Sequence, residues 1–433
     1  MPIADLIEAG HLLINDGYRA KNSELSPVGI PFARAGNINN GFHFEDADRV
    51  PDETLTRVGI KRSEPGDVVF TSKGTVGRFA FVREGTETFV YSPQLCFWRS
   101  RNRDLIDPGW LYYWMHGREF FDQYRGVAGQ TDMAEYVSLR DQRKMHITIP
   151  PLPIQKCIAH ILGTLDDKIE LNRRTNATLE AMARALFRSW FVDFDPVRAK
   201  ADGRQPPGLD PATAALFPDS FQDSDLGQIP EGWEVKLVRD IGAIVCGKTP
   251  STKVPEYYGG DVPFVTIPDM HGNVFALETK RCLSTAGAES QKKKTLPPNS
   301  ICVSCIATPG LTVVTTVPSH TNQQINSVIP TDPDATFFWY WSLKGLGDEI
   351  RAGGSGGSVL TNLSTGRFSE LSVLFPSYDL RSAYQHATQP LFAKILTNEN
   401  QSRTLAALRD TLLPKLLSGE LDVSETEASL CSV

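Results

Sequence analysis

The chain has 433 residues, of which 41% are apolar and 22% charged, with a formal net charge of -7 and a pI near 5.7. That length exceeds what a single hydrophobic core supports and points to two or three domains. No run approaches the ~18 continuous apolar residues of a membrane span, and the opening Met1-Pro2-Ile3-Ala4-Asp5 lacks the basic-then-apolar order of a secretory signal.

Seven cysteines, an odd number in so long a chain, read as reduced thiols in a cytoplasm. The net charge decides little, because acid concentrates between Asp193 and Glu231 and leaves room for basic surface elsewhere.

In chain order, residues 1–150 read as short strands separated by Gly, Pro, Asn and Asp turns. Gly66 to Arg83 has the signature of a hairpin, two β-rich runs around a glycine-containing turn. Trp110 to Trp114 reads as a packed aromatic helix. From residue 151 to 195 the pattern changes to one long helix. Ile158, Leu162, Leu165, Ile169, Asn172, Asn176, Leu179, Ala183, Leu186 and Trp190 alternate steps of four and three, the a/d spacing of a coiled-coil seam. At about 1.5 Å per residue, a helix from Pro153 to Phe191 is about 58 Å long, more than one turn of B-DNA. Residues 196–228 are rich in Pro, Gly and Asp and read as a linker. Residues 229–376 return to strands and turns, with a hairpin over Ser300 to Val314 and an aromatic stretch over Phe337 to Trp341. Residues 377–425 read as the second, C-terminal long helix, with the seam Tyr384, Thr388, Leu391, Ile395, Asn398, Ser402, Leu405, Arg409, Leu412 and Leu416.

The second half restates the first. Pro150 to Phe191 lies over Pro376 to Leu417 at a constant offset of 226, which brings Ile169 onto Ile395, Asn172 onto Asn398, Leu179 onto Leu405 and Leu186 onto Leu412. Ile30-Pro31-Phe32 returns as Val262-Pro263-Phe264 at an offset of 232, and Pro65 to Thr71 returns as Pro298 to Ser304 at 233. Such drift is what loop insertions in a duplicated unit produce. The predicted fold is α+β: two mixed α/β globules joined by two long helices in an antiparallel coiled coil, with a pseudo-two-fold internal repeat. Asn172/Asn176 and Asn398/Ser402 place polar groups at both seam centres, where a slipped register would bury them without partners.

Gly242-Ala-Ile-Val-Cys-Gly-Lys248-Thr249 fits the P-loop pattern, so the competing reading is a nucleotide-hydrolysing protein with a helical dimerisation arm. A P-loop needs a helix directly after the lysine, but Pro250 and Pro255 follow. Cys302 and Cys305 form a CxxC inside an apolar run, better read as buried strand cysteines than as a metal or redox pair. HExxH and the Asn/Asp-Pro-Pro-Tyr/Phe of base methylation are both missing, and no catalytic and no metal-ligating residues are assigned.

Polar features matched between the copies give the candidate DNA-facing residues. Lys61 and Arg62 stand against Lys292, Lys293 and Lys294. The hairpins contribute Lys73, Thr75 and Arg78 in one copy and Thr308 in the other. Arg125, Gln130 and Thr131 stand against Arg351, Ser355 and Ser358 in glycine-rich loops, where backbone approaches phosphate closely and short polar side chains reach base edges. Lys73 and Arg78 give way to Ile306 and Leu311, so the two copies are expected to read different sequences.

Along its full length the chain resembles the DNA-specificity (S) subunits of type I restriction-modification systems. The resemblance rests on the order globule, helix, globule, helix; on Pro150-Pro-Leu-Pro-Ile-Gln155 leading into Ile161 to Asn172; on Leu186 to Pro196; and on Leu412 to Leu421. It implies that residues 1–150 and 229–376 are target-recognition domains, each reading one half of a bipartite site in double-stranded DNA. It implies that the coiled coil (Ile158, Leu165, Ile169, Asn172, Leu179, Leu186, Leu391, Ile395, Asn398, Leu405 and Leu412 among its residues) sets the gap between halves. It further implies docking of two DNA methyltransferase (M) subunits and of restriction (R) subunits. S-adenosylmethionine, ATP and Mg²⁺ then belong to those partners, with no cofactor and no catalysis in this chain.

Overall fold

The computed structural model describes residues 1–38, 41–72, 77–128, 137–354 and 363–423. The chain divides into two compact units, one made of Met1–Leu171 with the chain from Ser402 onward, the other of Asn172–Gln401.

In the first unit the strands are β1 (Leu12–Asp16), β2 (Ile30–Ala33), β3 (Arg49–Val50), β4 (Val68–Thr71), β5 (Phe79–Phe81), β6 (Val90–Tyr91) and β7 (Leu95–Ser100). They form a four-stranded sheet in the order β1-β7-β4-β5 and a three-stranded sheet β3-β2-β6 in which β2 and β6 run parallel. Runs such as Val68-Val-Phe and Leu95-Cys-Phe-Trp are buried on both faces, so they read as continuous apolar strands rather than alternating ones. One face packs on the helix Pro108–Trp114, where Trp98, Trp110 and Trp114 are almost wholly buried. Each such ring contributes on the order of 2–3 kcal/mol. Asp107 caps this helix by accepting from the Trp110 amide at 2.8 Å, with Pro108 preset at its first position.

From residue 195 the second unit runs through two short helices, Asp195–Ala201 and Pro211–Ala215, and a hairpin of β8 (Phe221–Ser224) and β9 (Gly227–Pro230). The segment read as a linker is thus folded onto its unit. Val197 and Phe217 are buried against Trp190, Phe191 and Trp233, and apolar residues spaced too irregularly for a periodicity search hold it there. Then follow β10 (Glu234–Leu237), β11 (Gly242–Cys246), β12 (Tyr258–Val265), β13 (Phe275–Ala276), β14 (Cys282–Leu283), β15 (Ile301–Ser304), β16 (Thr312–Thr315), β17 (His320–Thr321), β18 (Ile325–Pro330) and β19 (Ser372–Phe375). The main sheet runs β11-β18-β15-β16-β13 and the smaller one β14-β12-β17, with β12 parallel to β17. Strand for strand this repeats the first unit, with β13 added at an edge. The aromatic run Phe337 to Trp341 lies on the helix Thr336–Gly345, buried in the unit's main core.

Two helices of 40 and 41 residues complete the fold, a central one over Leu152–Phe191 and a closing one over Tyr378–Ser418. They run antiparallel. In the first unit Asp166 of the central helix accepts from Arg409 of the closing helix at 2.7 Å. In the second unit Asn172 meets Gln401, Asn176 meets Ile395, and the carbonyl of Ala183 meets Tyr384, so numbers rise on one helix as they fall on the other. After each helix the chain turns back and buries a valine 226 residues from its counterpart, Val197 in the second unit and Val423 in the first. Among the described residues no helix is long and apolar enough to cross a membrane.

Candidate nucleic-acid interface

The two hairpins with candidate contact residues are built on one hydrogen-bond frame. In the first unit the Thr71 amide donates to the Arg78 carbonyl (3.0 Å), the Gly77 amide to the Thr71 carbonyl (3.3 Å) and the Arg78 amide to Thr71 Oγ1 (3.0 Å). In the second, the Ser304 amide donates to Leu311 (2.9 Å), the Gly310 amide to Ser304 (2.9 Å) and the Leu311 amide to Ser304 Oγ (3.0 Å). Gly77 and Gly310 hold φ of 93° and 88°, a conformation that favours glycine. Frame and side chain are therefore separable: the exposed Arg78 and the half-buried Leu311 occupy the same station. Arg78 donates to the carbonyls of Ala35 (3.2 Å) and Ile38 (3.5 Å), which props the guanidinium against the loop after β2. Thr308 is exposed, its carbonyl taken by the Ser304 hydroxyl. Lys73 and Thr75 lie outside the described residues.

Lys61 sits differently from its sequence reading. Its ammonium donates to Asp16 and to the Gly17 carbonyl, both at 2.8 Å, so its charge is neutralised within the unit. Arg62 beside it is exposed. Lys292 pairs with Glu289 at 3.2 Å, while Lys293 is exposed and Lys294 half-buried. Arg125 is exposed and lies 5.7 Å from the ring centroid of Phe121, and Arg351 pairs with Asp348 on its own helix. Gln130, Thr131, Ser355 and Ser358 fall outside the described residues.

One group was missed. Arg99, 4% exposed, donates to both oxygens of the fully buried Asp67, at 2.5 and 2.7 Å, and to the Arg62 carbonyl at 2.7 Å. The Tyr91 hydroxyl completes the cluster at 2.5 Å from Asp67, and burial together with the Asp67 charge pushes that hydroxyl well above its ordinary pKa, keeping it a neutral donor. The available signal was a lone charge in a buried strand run, Asp67 where the repeat has Ser300.

The nucleotide-binding reading does not survive the geometry. Gly242–Cys246 is the strand β11 itself, paired antiparallel with β18. The amides that would cradle phosphate are committed: Gly247 donates to Ile325 at 3.1 Å and Lys248 to Thr321 at 3.0 Å. Gly17 and Tyr18 do the same with Leu95 (3.1 Å) and Tyr91 (2.7 Å). A Cβ on Gly247 would lie 2.1 Å from the Asn322 carbonyl, and one on Gly17 2.0 Å from that of Ser92, so both glycines serve close backbone packing. Pro250 follows, and no helix starts directly after the lysine. Cys302 and Cys305 enter different core clusters, and burial pushes their thiols up to about 12 and about 11. Among the described residues no group of three or more His, Cys, Asp or Glu is arranged to hold a metal ion.

Along the helices every residue of both a/d stripes is buried or half-buried. Ile158 packs in the first unit's core with Leu412 beside it. Leu179, Leu186, Leu391 and Ile395 pack in the second unit's main cluster. Leu165, Ile169 and Leu405 are half-buried. Where the second stripe turns polar its groups are satisfied: Tyr384 donates to the Ala183 carbonyl (2.8 Å), Thr388 to the Tyr384 carbonyl (2.8 Å) and Arg409 to Asp166 (2.7 Å).

Comparison with known proteins agrees with this architecture. Residues 1–181 and 230–400 match the model of the type I restriction modification DNA specificity domain. The HindI specificity subunit of a type I restriction enzyme from Haemophilus influenzae is 36% identical, covering 90% of this chain and 94% of that protein. The MjaIX specificity subunit of Methanocaldococcus jannaschii is 23% identical over 87% of this chain and 82% of that protein. The crystal structure of the type I restriction-modification S subunit from M. genitalium superposes with a TM-score of 0.58 at 14% identity, over 96% of this chain and 95% of that one, a likeness of fold. A twice-occurring specificity domain, each copy leading into one of two antiparallel helices, makes this chain a member of the type I restriction-modification DNA-specificity family.

Proposed function

We propose that the chain is the non-catalytic reader of a type I restriction-modification complex: each unit recognises one half of an asymmetric bipartite site in double-stranded DNA. The observation that carries this is the duplicated hairpin frame with unlike side chains, Arg78 on one copy and Leu311 on the other. A shared frame with divergent tips suits two halves of different sequence. On this reading the residues 1–150 and 229–376 are the recognition domains, and Arg62, Arg78, Arg125, Lys292, Lys293, Lys294, Thr308 and Arg351 remain candidate contacts. Lys73, Thr75, Gln130, Thr131, Ser355 and Ser358 stay candidates from sequence. Lys61 is the weakest, since Asp16 already neutralises it.

The paired helices serve as the spacer between half-sites and as the seat of two DNA methyltransferase subunits, joined in the nuclease by restriction subunits. S-adenosylmethionine, ATP and Mg²⁺ act in those partners, in a cytoplasmic complex. At about 1.5 Å per residue the helices are about 60 Å long, ample to hold two contacts more than one duplex turn apart. Single-molecule sequencing of methylated adenine in the source genome, with and without this gene, tests the proposal. Loss of one split motif, two short defined halves around an unspecified gap, is expected. A methylome unchanged although a methyltransferase co-purifies with the chain would refute it.

A further inference from the structure

The turn over residues 305–311, which joins β15 to β16 in the second unit, is held from two sides. From within, the buried Ser304 hydroxyl donates to the Thr308 carbonyl and accepts from the Leu311 amide at 3.0 Å. Ala307 holds φ of 64° and Gly310 of 88°, so the turn carries two left-handed residues, one of them not glycine. A left-handed alanine is strained and persists only where its surroundings dictate it. The Leu363 amide adds a further tie, donating to the Cys305 carbonyl at 3.1 Å.

From outside, the turn rests on the helix Gly347–Gly353. A Cβ built on Gly310 would lie 2.6 Å from Gly347 Cα, well inside the about 3.5–4.0 Å of normal carbon packing. A Cβ built on Gly347 would lie 3.7 Å from Gly310 Cα, an ordinary contact. The two backbones therefore touch with no side chain between them. Gly347 is the fixed partner, because Leu346 before it and Ile350 after it are buried in the unit's main core. The turn is the softer one, with Ala307 and Thr308 exposed at its tip. A side chain extended past its first carbon at position 347 pushes on Gly310, and the Ser304 bonds carry that push to Thr308.

We propose that Gly347 is a positioning residue for base recognition: its bare backbone sets where the turn 305–311 presents its tip, and so which bases the second unit accepts. This rests on the DNA-reading function above and names the residue that aims one of its two hairpins. Base discrimination depends on hydrogen-bond geometry that a displacement of about 1 Å spoils. The test uses the full chain in its methyltransferase complex. Affinity is measured on the methylated motif and on duplexes with each defined base pair changed singly. G347V is expected to lower discrimination about 10-fold at positions of one half-sequence, with the other half and the gap as in wild type. G347A, whose Cβ fits, is expected to discriminate as wild type does. So is G345V, which puts the same side chain at the exposed end of the preceding helix, Thr336–Gly345, where a Cβ meets open space. Should urea unfolding show that G347V does not fold, G347S supplies the smaller push and is expected to weaken the same kind of discrimination. Wild-type discrimination in folded G347V, or in G347S where G347V does not fold, overturns the inference and leaves the reading function standing. So does relaxation of both halves, or an equal relaxation in G345V. A methylome without any split motif that depends on this gene overturns both.

Discussion

Asn398 donates from Nδ2 to Oδ1 of Asn176 at 2.8 Å, and its own carbonyl accepts from Asn172, the residue 226 positions earlier that it repeats. Asn172 also donates to Gln401 at 2.9 Å. An amide cluster in an otherwise apolar seam is satisfied in one register only, since a shift along either helix strands several buried donors.

Replacing Asn398 by Ala therefore removes two donors and leaves the Asn176 oxygen without its partner. A loss of about 1–3 kcal/mol is expected from urea unfolding of the full chain. The double change of Asn172 and Asn398 to Leu is expected to recover stability while permitting slipped pairing. Cysteine pairs engineered for the native register should then cross-link less completely than in an otherwise unmodified chain.

The spacer role predicts a change of target. Seven residues inserted between Asn176 and Leu179, with seven more opposite them between Leu391 and Ile395, keep both stripes in phase and add about 10 Å of helix. The methylated motif should keep both half-sequences and widen its gap by about three base pairs. An unaltered gap in a folded, active variant would count against the helices as spacer.

Asp67→Asn takes from Arg99 its buried carboxylate and leaves it only the half-exposed Glu64. Breaking a buried pair from one side costs about 3–5 kcal/mol, so the first unit should unfold early in a thermal scan. Protease mapping at intermediate temperature should cut within residues 1–150 and spare 229–376. Equal cleavage of both would show the cluster to be unimportant.

Acid should stabilise the second unit through Glu399. Burial raises its carboxyl from 4.5 to about 7, helped by the charge of Glu180 and opposed by the Val274 amide; Lys344 holds Glu180 at 2.7 Å. Between these values the folded chain keeps a proton that the unfolded chain has released. Stability contributed by this group therefore falls as pH rises through the window and stays low above it. Glu399→Gln should raise stability near pH 8 by about 2 kcal/mol and flatten the dependence, as read by unfolding at several pH values. A variant whose pH profile overlays the wild type would locate the effect elsewhere.

How far the sequence carries depends on whether a feature repeats. The helices, their polar centre and the matched hairpins were legible because a constant offset exposes paired stations such as Asn172 and Asn398, or Gly77 and Gly310. The folded connector was not, because Val197 and Phe217 are isolated apolar residues among turn formers and follow no period. Nor was the fate of Lys61: residue type and exposure suggest a phosphate contact, but only the fold brings Asp16 beside it, 45 positions away in sequence. The resemblance of Lys248 to a P-loop lysine, already opposed by Pro250 and Pro255, fails in the fold for a related reason, since backbone hydrogen bonds to Ile325 and Thr321 consume the amides that a motif search treats as available.

The valines buried beyond the two helices have a consequence for the order of assembly. The second unit is a single stretch, Asn172–Gln401, and can close on itself as it is made. The first is not: its core takes Leu416 and Val423 from the far end of the chain. About 230 residues separate its two parts, some 10–50 s of synthesis at ordinary rates. During that interval the surface around Ile158 and Leu162 waits uncovered, and the unit begun first is the one finished last.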